Sequence, residues 1–475
     1  MKGSMIMPVR AKPYQHQKTA FDFACRQFGL IDGIERSPGT ALLMEMGTGK
    51  TLVAIGISSI MYQFGKVSKV LVVTPYSLLG VWESEIQRFA KVPVKVVVVK
   101  GTQEKKHELL KITDRDKLNF IIINYESAWR LESELLRVGF QIVIADEAHK
   151  IKEGRTKQSK TLHKLGDNAQ YKLLLTGTLV TNREIDVWSQ YRFLNQHVFG
   201  SSFYNFRNHY FDMRGYGNHT PVFRSSRTEE FLQRLHSIAY RVTKAEALDL
   251  PDITEETRYV ELEAKAAKLY VQLSKESFAE MERGEITTSN VLTKILRLSQ
   301  LTGGFIGDDG KTVHAVSTAK VDAMRDIIES AMADNKKLVI VARFVAELDA
   351  ITALLEKSGI GYAQVRGGVK DRVEEVRRFQ EDDDCRVFVG QIAAAGLGLT
   401  LTAADTLVFY SVDYSMSNFI QAQARIHRIG AKNTCHYIYL VARNTVDERV
   451  LKALRNKIDL AKFLVDDYRR GNNPF

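Results

Sequence analysis

Short apolar runs alternate with longer polar stretches over residues 40–180. The runs are ALLMEM, KVLVVTP, VKVVVVK, FIIINYE, IVIADEA and KLLLTGT. Because they are short and rich in Val, Ile and Leu, they predict strands buried on both faces, as in parallel sheets. The polar stretches between them predict the helices that cover such a sheet.

The same alternation returns after residue 335, in KLVIVAR, YAQVRGG, CRVFVGQ, DTLVFYS and CHYIYLVA. The region between the two blocks lacks it. Residues 186–240 are rich in aromatic and basic side chains, and residues 261–300 predict amphipathic helix. The segment LDLPDITEE, 248–256, is the best candidate for a linker. The pattern therefore predicts two α/β blocks.

Charge changes this picture by pointing to a partner. Lys and Arg number 67 against 56 Asp and Glu, a net charge of +11, which favours a polyanion such as nucleic acid. No apolar run approaches the roughly 18 residues that cross a membrane, so no membrane partner is expected. Cys25, Cys385 and Cys435 show neither metal-ligand nor disulfide spacing. With no secretory segment in view, we expect a bacterial or phage-infected cytoplasm, or the nucleus in a eukaryote.

A glycine turn follows the first apolar run, in MEMGTGKT. Backbone N–H groups in such a turn point inward and cradle phosphates, and the following helix adds its dipole. Gly47, Thr48 and Gly49 would form the cradle, Lys50 would hold the terminal phosphates, and Thr51 would ligate Mg²⁺. The alternative is a structural turn.

An acidic pair ends a later apolar run, in IVIADEAHKIK. Ligands sit at the carboxyl ends of parallel strands, so Asp146 would hold Mg²⁺ through water and Glu147 would polarise the attacking water. His149 would link the site to neighbouring segments. The alternative is a capped strand–helix turn. Together with the phosphate loop, the pair predicts Mg²⁺-dependent ATP hydrolysis.

Two arginines lie three residues apart in QAQARIHRIG. On a helix, Arg425 and Arg428 would share a face and reach one target. A guanidinium pairs bidentately with phosphate oxygens, which suits charge stabilisation at the γ-phosphate from the second block. The alternative is a solvated basic helix face.

Taken in order, these motifs resemble those of superfamily-two helicase-type ATPases, specifically the Swi/Snf-related double-stranded DNA translocases. The segments that carry the resemblance are PYQHQ, MEMGTGKT, LVVTPYSLLGVWESEIQRF, DEAHKIK, LLLTGTLVTN, KLVIVARFVAELDAI, VGQIAAAGLGLTLTAADTLVFYSVDYS, QAQARIHRIGAKN and YLVARNTVDERVL. The resemblance implies an α/β fold with two RecA-like parallel-sheet lobes and an ATP site in the cleft between them. We expect the first lobe at 1–254 with a helical insertion at 183–250, and the second at 255–475 with an insertion at 258–334. A compact viral or bacterial member is expected.

The resemblance also assigns roles that spacing alone does not. Gln15 would contact the adenine side of ATP. The residues implied in coupling hydrolysis to motion are His149, Thr176, Gly177, Thr178, Gly396 and Gly398. Those implied in nucleic-acid contacts are Thr74, Pro75, Arg366, Gly367, Gly368 and Thr400. The aromatic segment 203–224 is interpreted as packing, with a single-strand stacking platform as the alternative.

These observations predict an ATP-dependent double-stranded DNA translocase that remodels DNA or protein–DNA complexes. Double-stranded DNA is the favoured partner and single-stranded nucleic acid the second. Two other functions stay open: a strand-separating DNA or RNA helicase, and a catalytically weak, ATP-gated DNA-binding scaffold.

Overall fold

A computed structural model describes residues 4–177, 179, 183–214, 220–282, 288–307, 313–367, 369, 371–392 and 399–462, without the side chains of 275–282, 288–294 and 459–462. The chain divides into two compact units. The first comprises the chain up to Leu248, and the second comprises Asp249–Ile458.

The first unit is built on a parallel sheet. Its strands in chain order are β1 (Gly39–Met44), β2 (Lys69–Thr74), β3 (Val94–Val98), β4 (Leu118–Asn124), β5 (Ile142–Asp146), β6 (Tyr171–Leu175), β7 (Phe211–Arg214), β8 (Thr220–Phe223) and β9 (Ala239–Val242). The sheet order is β3-β4-β2-β5-β6-β1-β9, and β7 and β8 form a separate antiparallel pair.

Helices cover both faces of this sheet because successive strand residues point to opposite sides. Leu42 lies in one hydrophobic core with Phe21, and its neighbour Leu43 lies in a second core with Trp188. The helices are α1 (Gln15–Gln27), α2 (Lys50–Gln63), α3 (Leu79–Phe89), α4 (Gln103–Leu109), α5 (Tyr125–Arg130), α6 (Glu132–Val138), α7 (Lys157–Asn168), α8 (Val187–Leu194), α9 (Gln196–Phe199), α10 (Phe203–Tyr210), α11 (Thr228–Ser237) and α12 (Lys244–Ala247).

The second unit repeats the parallel architecture. Its strands are β10 (Ile253–Val260), β11 (Phe305–Gly307), β12 (Val313–Ala315), β13 (Leu338–Ala342), β14 (Gly361–Val365), β15 (Cys385–Gln391), β16 (Thr406–Phe409) and β17 (Cys435–Ala442). The sheet order is β10-β17-β16-β13-β15-β14, and β11 and β12 form an antiparallel pair. The helices are α13 (Ala264–Glu282), α14 (Thr288–Thr302), α15 (Ala319–Ala333), α16 (Val345–Lys357), α17 (Arg372–Glu381), α18 (Met416–Gln423) and α19 (Val446–Lys462).

Two parallel α/β units are thus confirmed, but two edge strands lie where no strand was predicted. Strand β9 falls within the predicted first insertion, and β10 begins inside the predicted linker. Strand β10 pairs with β17 along only one side and is mostly exposed, so its sequence ITEETRYV lacks the apolar run of a central strand. None of the helices in the described ranges combines the length and apolar character needed to cross a bilayer.

Candidate active site

The phosphate loop lies between β1 and α2, which begins at Lys50. Gly47 and Gly49 have φ angles of 85° and 87°, a left-handed conformation that favours glycine. A Cβ atom at Gly49 would also collide with the side-chain amide of Gln17. Both constraints explain why glycine is required in this turn, and they fit a loop whose backbone approaches a phosphate closely.

Lys50 folds back onto the loop that precedes it. Its Nζ donates to the carbonyl oxygens of Met44, at 2.9 Å, and Glu45, at 3.3 Å. Desolvation lowers the pKa of the Lys50 ammonium, while the charges of Glu147 and Asp146 raise it. The lysine therefore lies in the electrostatic field of the acidic pair. Thr51 lies in the first turn of α2.

Two residues of α1 support this loop, although neither was predicted as a site residue. The side chains of His16 and Gln17 both contact the Thr48 carbonyl, at 2.8 and 3.0 Å, and both are buried. The selected Gln15 is exposed at the start of α1, where its carbonyl accepts from Thr19. Both buried residues lie in the motif PYQHQ beside Gln15. Their place in this motif was the sequence signal that could have identified them.

Asp146 is held by three donors at the carboxyl end of β5. Its Oδ2 accepts from the Thr74 hydroxyl, at 2.9 Å, and from the Trp82 indole N–H, at 2.8 Å. Its Oδ1 accepts from the backbone N–H of Glu147, at 3.0 Å. Burial, followed by the charge of Glu147, raises the pKa of Asp146 to about 6. These contacts fix the carboxylate in one orientation.

The structure gives Thr74 a contact that was not predicted. Its side chain is fully buried and donates to Asp146, while its nucleic-acid contact stays a prediction. The contact of Trp82 with Asp146 was not predicted, although Trp82 lies after β2 in the motif LVVTPYSLLGVWESEIQRF. The next residue after Thr74, Pro75, is half-buried, and Tyr76 beyond it is 68% exposed.

Glu147 adopts a strained backbone. Its φ and ψ of 50° and 51° are left-handed, which non-glycine residues rarely adopt and which clusters at functional sites. The side chain is buried, and its Oε2 lies 3.4 Å from Nδ1 of His149. The structure thus brings His149 to the acidic pair.

The segment after β6 packs against the phosphate loop. The backbone N–H of Thr176 donates to the Leu42 carbonyl at 3.3 Å, and Thr176 is fully buried. A Cβ at Gly177 would lie 3.4 Å from both the Met44 oxygen and the Met46 nitrogen. The third predicted coupling residue here, Thr178, lies outside the described residues.

Arg425 and Arg428 meet at one acceptor in the second unit. Helix α18 ends at Gln423, so the arginines lie in the turns beyond it rather than on a helix face as predicted. Their Nη1 atoms nevertheless both donate to the Leu399 carbonyl, at 3.4 and 3.3 Å. The two guanidinium groups therefore converge, with Arg425 buried.

The predicted nucleic-acid contacts of the second unit that the structure describes lie in different surroundings. Arg366 is paired with Asp349, a Cβ at Gly367 would meet open space, and Thr400 is half-buried. Three further predicted residues lie outside the described ranges: Gly368, Gly396 and Gly398.

Three aromatic residues of the segment 203–224 serve packing. Phe206, Tyr210 and Phe211 are buried in the hydrophobic core. Phe231 on α11 lies with its ring edge toward Tyr210, at 5.3 Å between ring centres. Edge-to-face contacts of this kind stabilise a core and leave these rings no free face for a base.

The donor chemistry fits Mg–ATP. Mg²⁺ prefers oxygen ligands and is usually held by one or two protein groups together with phosphates and water. The Asp146 carboxylate and the Thr51 hydroxyl are such groups. Within the described ranges, no cluster of three or more His, Cys, Asp or Glu side chains forms a dedicated metal cage.

Comparison with known proteins assigns the class. The family described as SNF2-related domain matches residues 14–304, and the helicase conserved C-terminal domain matches residues 319–430. The chain therefore belongs to the SNF2-related family, as its motifs predicted.

Its relatives are longer proteins. It is 30% identical over 450 residues to an uncharacterized ATP-dependent helicase of Mycoplasma pneumoniae, covering 92% of this chain and 41% of the relative. It is 26% identical to the SWI/SNF-related matrix-associated actin-dependent regulator of chromatin subfamily A-like protein 1 homolog of Caenorhabditis elegans, covering 92% and 61%. The solved Sulfolobus solfataricus SWI2/SNF2 ATPase core in complex with dsDNA is 24% identical over 99% of this chain and 96% of that one, with a TM-score of 0.47.

Proposed function

We propose that this chain is the motor core of an ATP-dependent double-stranded DNA translocase. One observation carries the proposal: Lys50 follows β1, and Asp146 and Glu147 lie at the carboxyl end of β5, and these two parallel strands flank β6 in one sheet. A phosphate-binding lysine beside an acidic pair is the arrangement that Mg²⁺-assisted ATP hydrolysis needs.

Each group has a distinct task in this proposal. The backbone N–H groups of Gly47 to Gly49 bind the phosphates, and Lys50 exchanges its loop carbonyls for phosphate oxygens. Thr51 and Asp146 would hold Mg²⁺, which when bound neutralises charge on the phosphates. Glu147 orients the attacking water, and its strained backbone keeps the carboxylate in place.

The arginines supply the remaining positive charge. Because Arg425 and Arg428 already converge on one carbonyl oxygen, they are arranged to bind one anionic target together. We assign that target as the γ-phosphate, where charge develops during hydrolysis. Their shared acceptor, Leu399, precedes Thr400, a predicted nucleic-acid contact. This proximity provides a route from nucleic acid to turnover.

Family membership and charge support duplex DNA as the track. A net charge of +11 favours a polyanion whose phosphates are gripped without sequence readout. Remodelling of DNA or protein–DNA complexes is the resulting activity. The name of the Mycoplasma pneumoniae relative supports the second candidate, a strand-separating helicase. The intact catalytic set argues against a catalytically weak scaffold.

The test is the steady-state ATPase rate without nucleic acid and with single-stranded DNA, duplex DNA or duplex RNA at one low salt concentration. The proposal expects strong stimulation by duplex DNA alone. Stimulation by single strands or RNA would favour the helicase. The variant Glu147→Gln controls for contaminating ATPases, and a rate equal to wild type in that variant would contradict the site.

A further inference from the structure

A charged pair joins the phosphate loop to the last strand of the first unit. Arg241 on β9 is only 6% exposed, and its guanidinium donates to the Glu45 carboxylate, at 3.0 Å, and to the Leu43 carbonyl, at 3.1 Å. The backbone N–H of Glu45 donates to the Val242 carbonyl at 3.1 Å. Nearly two hundred residues separate these partners in sequence.

The second carboxylate oxygen of Glu45 extends this link along the chain. It accepts from the backbone N–H of Lys244, at 2.9 Å, the first residue of α12. Thr243 and Glu246 close this short helix with reciprocal cap hydrogen bonds. Residues 243–252, here called the joining segment, run from the end of β9 to the start of β10 and contain the boundary between the two units.

Glu45 therefore makes two kinds of contact. Its carboxylate binds the end of β9 and the start of the joining segment, while its carbonyl oxygen accepts from the Nζ of Lys50. A shift of the joining segment would pull on the residue that holds the phosphate-binding lysine. Of the residues that form this connection, Lys50 alone was predicted as a site residue.

We infer that the Glu45–Arg241 pair couples the phosphate loop to the joining segment, so that nucleotide binding and the arrangement of the segment bias one another. The inference rests on the proposed function, since nucleotide is taken to bind at Lys50. Coupling of this kind is reciprocal in binding free energy. Any effect of DNA on nucleotide affinity that passes through the joining segment would therefore depend on the pair.

The experiment measures binding of a fluorescent, non-hydrolysable ATP analogue with Mg²⁺, with and without duplex DNA. The ratio of the two affinities measures the coupling without any catalysis. We expect wild type to show a ratio of tenfold or more. Arg241→Gln and Glu45→Gln should each reduce it to within about twofold of one, and the double variant should reduce it no further.

The matched control is Arg192→Gln. Arg192 on α8 makes a bidentate pair with Asp167 in the same unit, at 2.7 and 2.8 Å, and this pair has no contact with the loop. The control should keep the wild-type ratio. Glu45→Gln provides a second test if Arg241→Gln unfolds, since the Glu45 side chain is 34% exposed and its amide keeps an acceptor.

Two outcomes would overturn the inference. Arg241→Gln and Glu45→Gln variants that fold and keep the wild-type ratio would show that the pair carries no coupling. Equal loss in Arg192→Gln would show a general effect on the unit. A third outcome, a wild-type protein whose nucleotide affinity does not respond to DNA, would overturn the inference as well, while stimulation of its ATPase rate by duplex DNA would still support the proposed function.

Discussion

The carboxyl edges of the two parallel sheets differ in what they do with buried charge. In the first unit, Lys50 and the acidic pair Asp146 and Glu147 gather at this edge, and the lysine ammonium donates to two backbone carbonyl oxygens. In the second unit, the Lys320 ammonium donates to the Asp447 carboxylate at 2.7 Å, so this cation already has an anionic partner. In the proposed function, the cation of the first edge binds phosphate, while the cation of the second edge is held in an ion pair.

The second edge is closed by a further carboxylate. Glu347 on α16 is buried, and its Oε2 accepts from the backbone N–H of Arg343 and Phe344 and from the Ser411 hydroxyl. Burial raises the pKa of Glu347. The comparison teaches that a shared fold does not give both edges the same chemistry. In the proposed function, the second unit contributes through Arg425 and Arg428 instead.

Removing Lys50, the cation of the first edge, should have the largest effect on ATP turnover. Lys50→Ala should lower ATP turnover to background, at least about 10⁴-fold, because both phosphate binding and charge stabilisation are lost. Fluorescent-nucleotide binding and ATPase assays would measure this. Turnover near wild type would show that the first edge is not the chemical site.

Loss of one converging arginine should separate binding from chemistry. Arg428→Ala should reduce kcat by about 10³-fold while nucleotide affinity stays within a few-fold, because the charge it offsets develops during hydrolysis. Single-turnover kinetics with a binding titration would measure both. A variant with lower affinity and unchanged kcat would contradict the assigned role.

Breaking the Lys320–Asp447 ion pair of the second edge should affect the stability of the protein rather than its turnover. Lys320→Met leaves the Asp447 carboxylate, which is 12% exposed, without its cation, and this should lower the free energy of unfolding of that unit by about 3 kcal/mol. Urea denaturation would measure it. Arg325→Gln, which breaks an exposed pair with Asp322 on the same helix, should change stability by less than about 1 kcal/mol. Equal losses in both variants would remove the contrast between the edges.

The smallest effect should come from the support of Asp146. Trp82→Phe removes one hydrogen bond to the carboxylate and keeps the ring, so kcat should fall roughly tenfold and more Mg²⁺ should be needed for half-maximal nucleotide binding. Trp188→Phe is the matched control, since its indole donates to the Gly200 carbonyl away from the site. If the control shows the same Mg²⁺ dependence as Trp82→Phe, the indole does not position Asp146.

The central strands and the phosphate loop could be predicted because their signal is local. The run that became β1 is continuously apolar, and the glycines that follow occupy left-handed positions that other residues avoid. The roles of Thr74, Gln17 and Trp82 could not be assigned in this way. Each contact joins segments more than thirty residues apart, and a hydroxyl, amide or indole has many potential partners.

The most direct measurement is displacement of a third strand from a DNA triplex flanked by duplex, with wild type and Glu147→Gln. A motor powered by ATP hydrolysis at Lys50, Asp146 and Glu147 should release the third strand only with hydrolysable ATP. The Glu147→Gln variant should release no strand while still binding nucleotide. Equal release by Glu147→Gln, or hydrolysis by wild type without any release, would contradict the account.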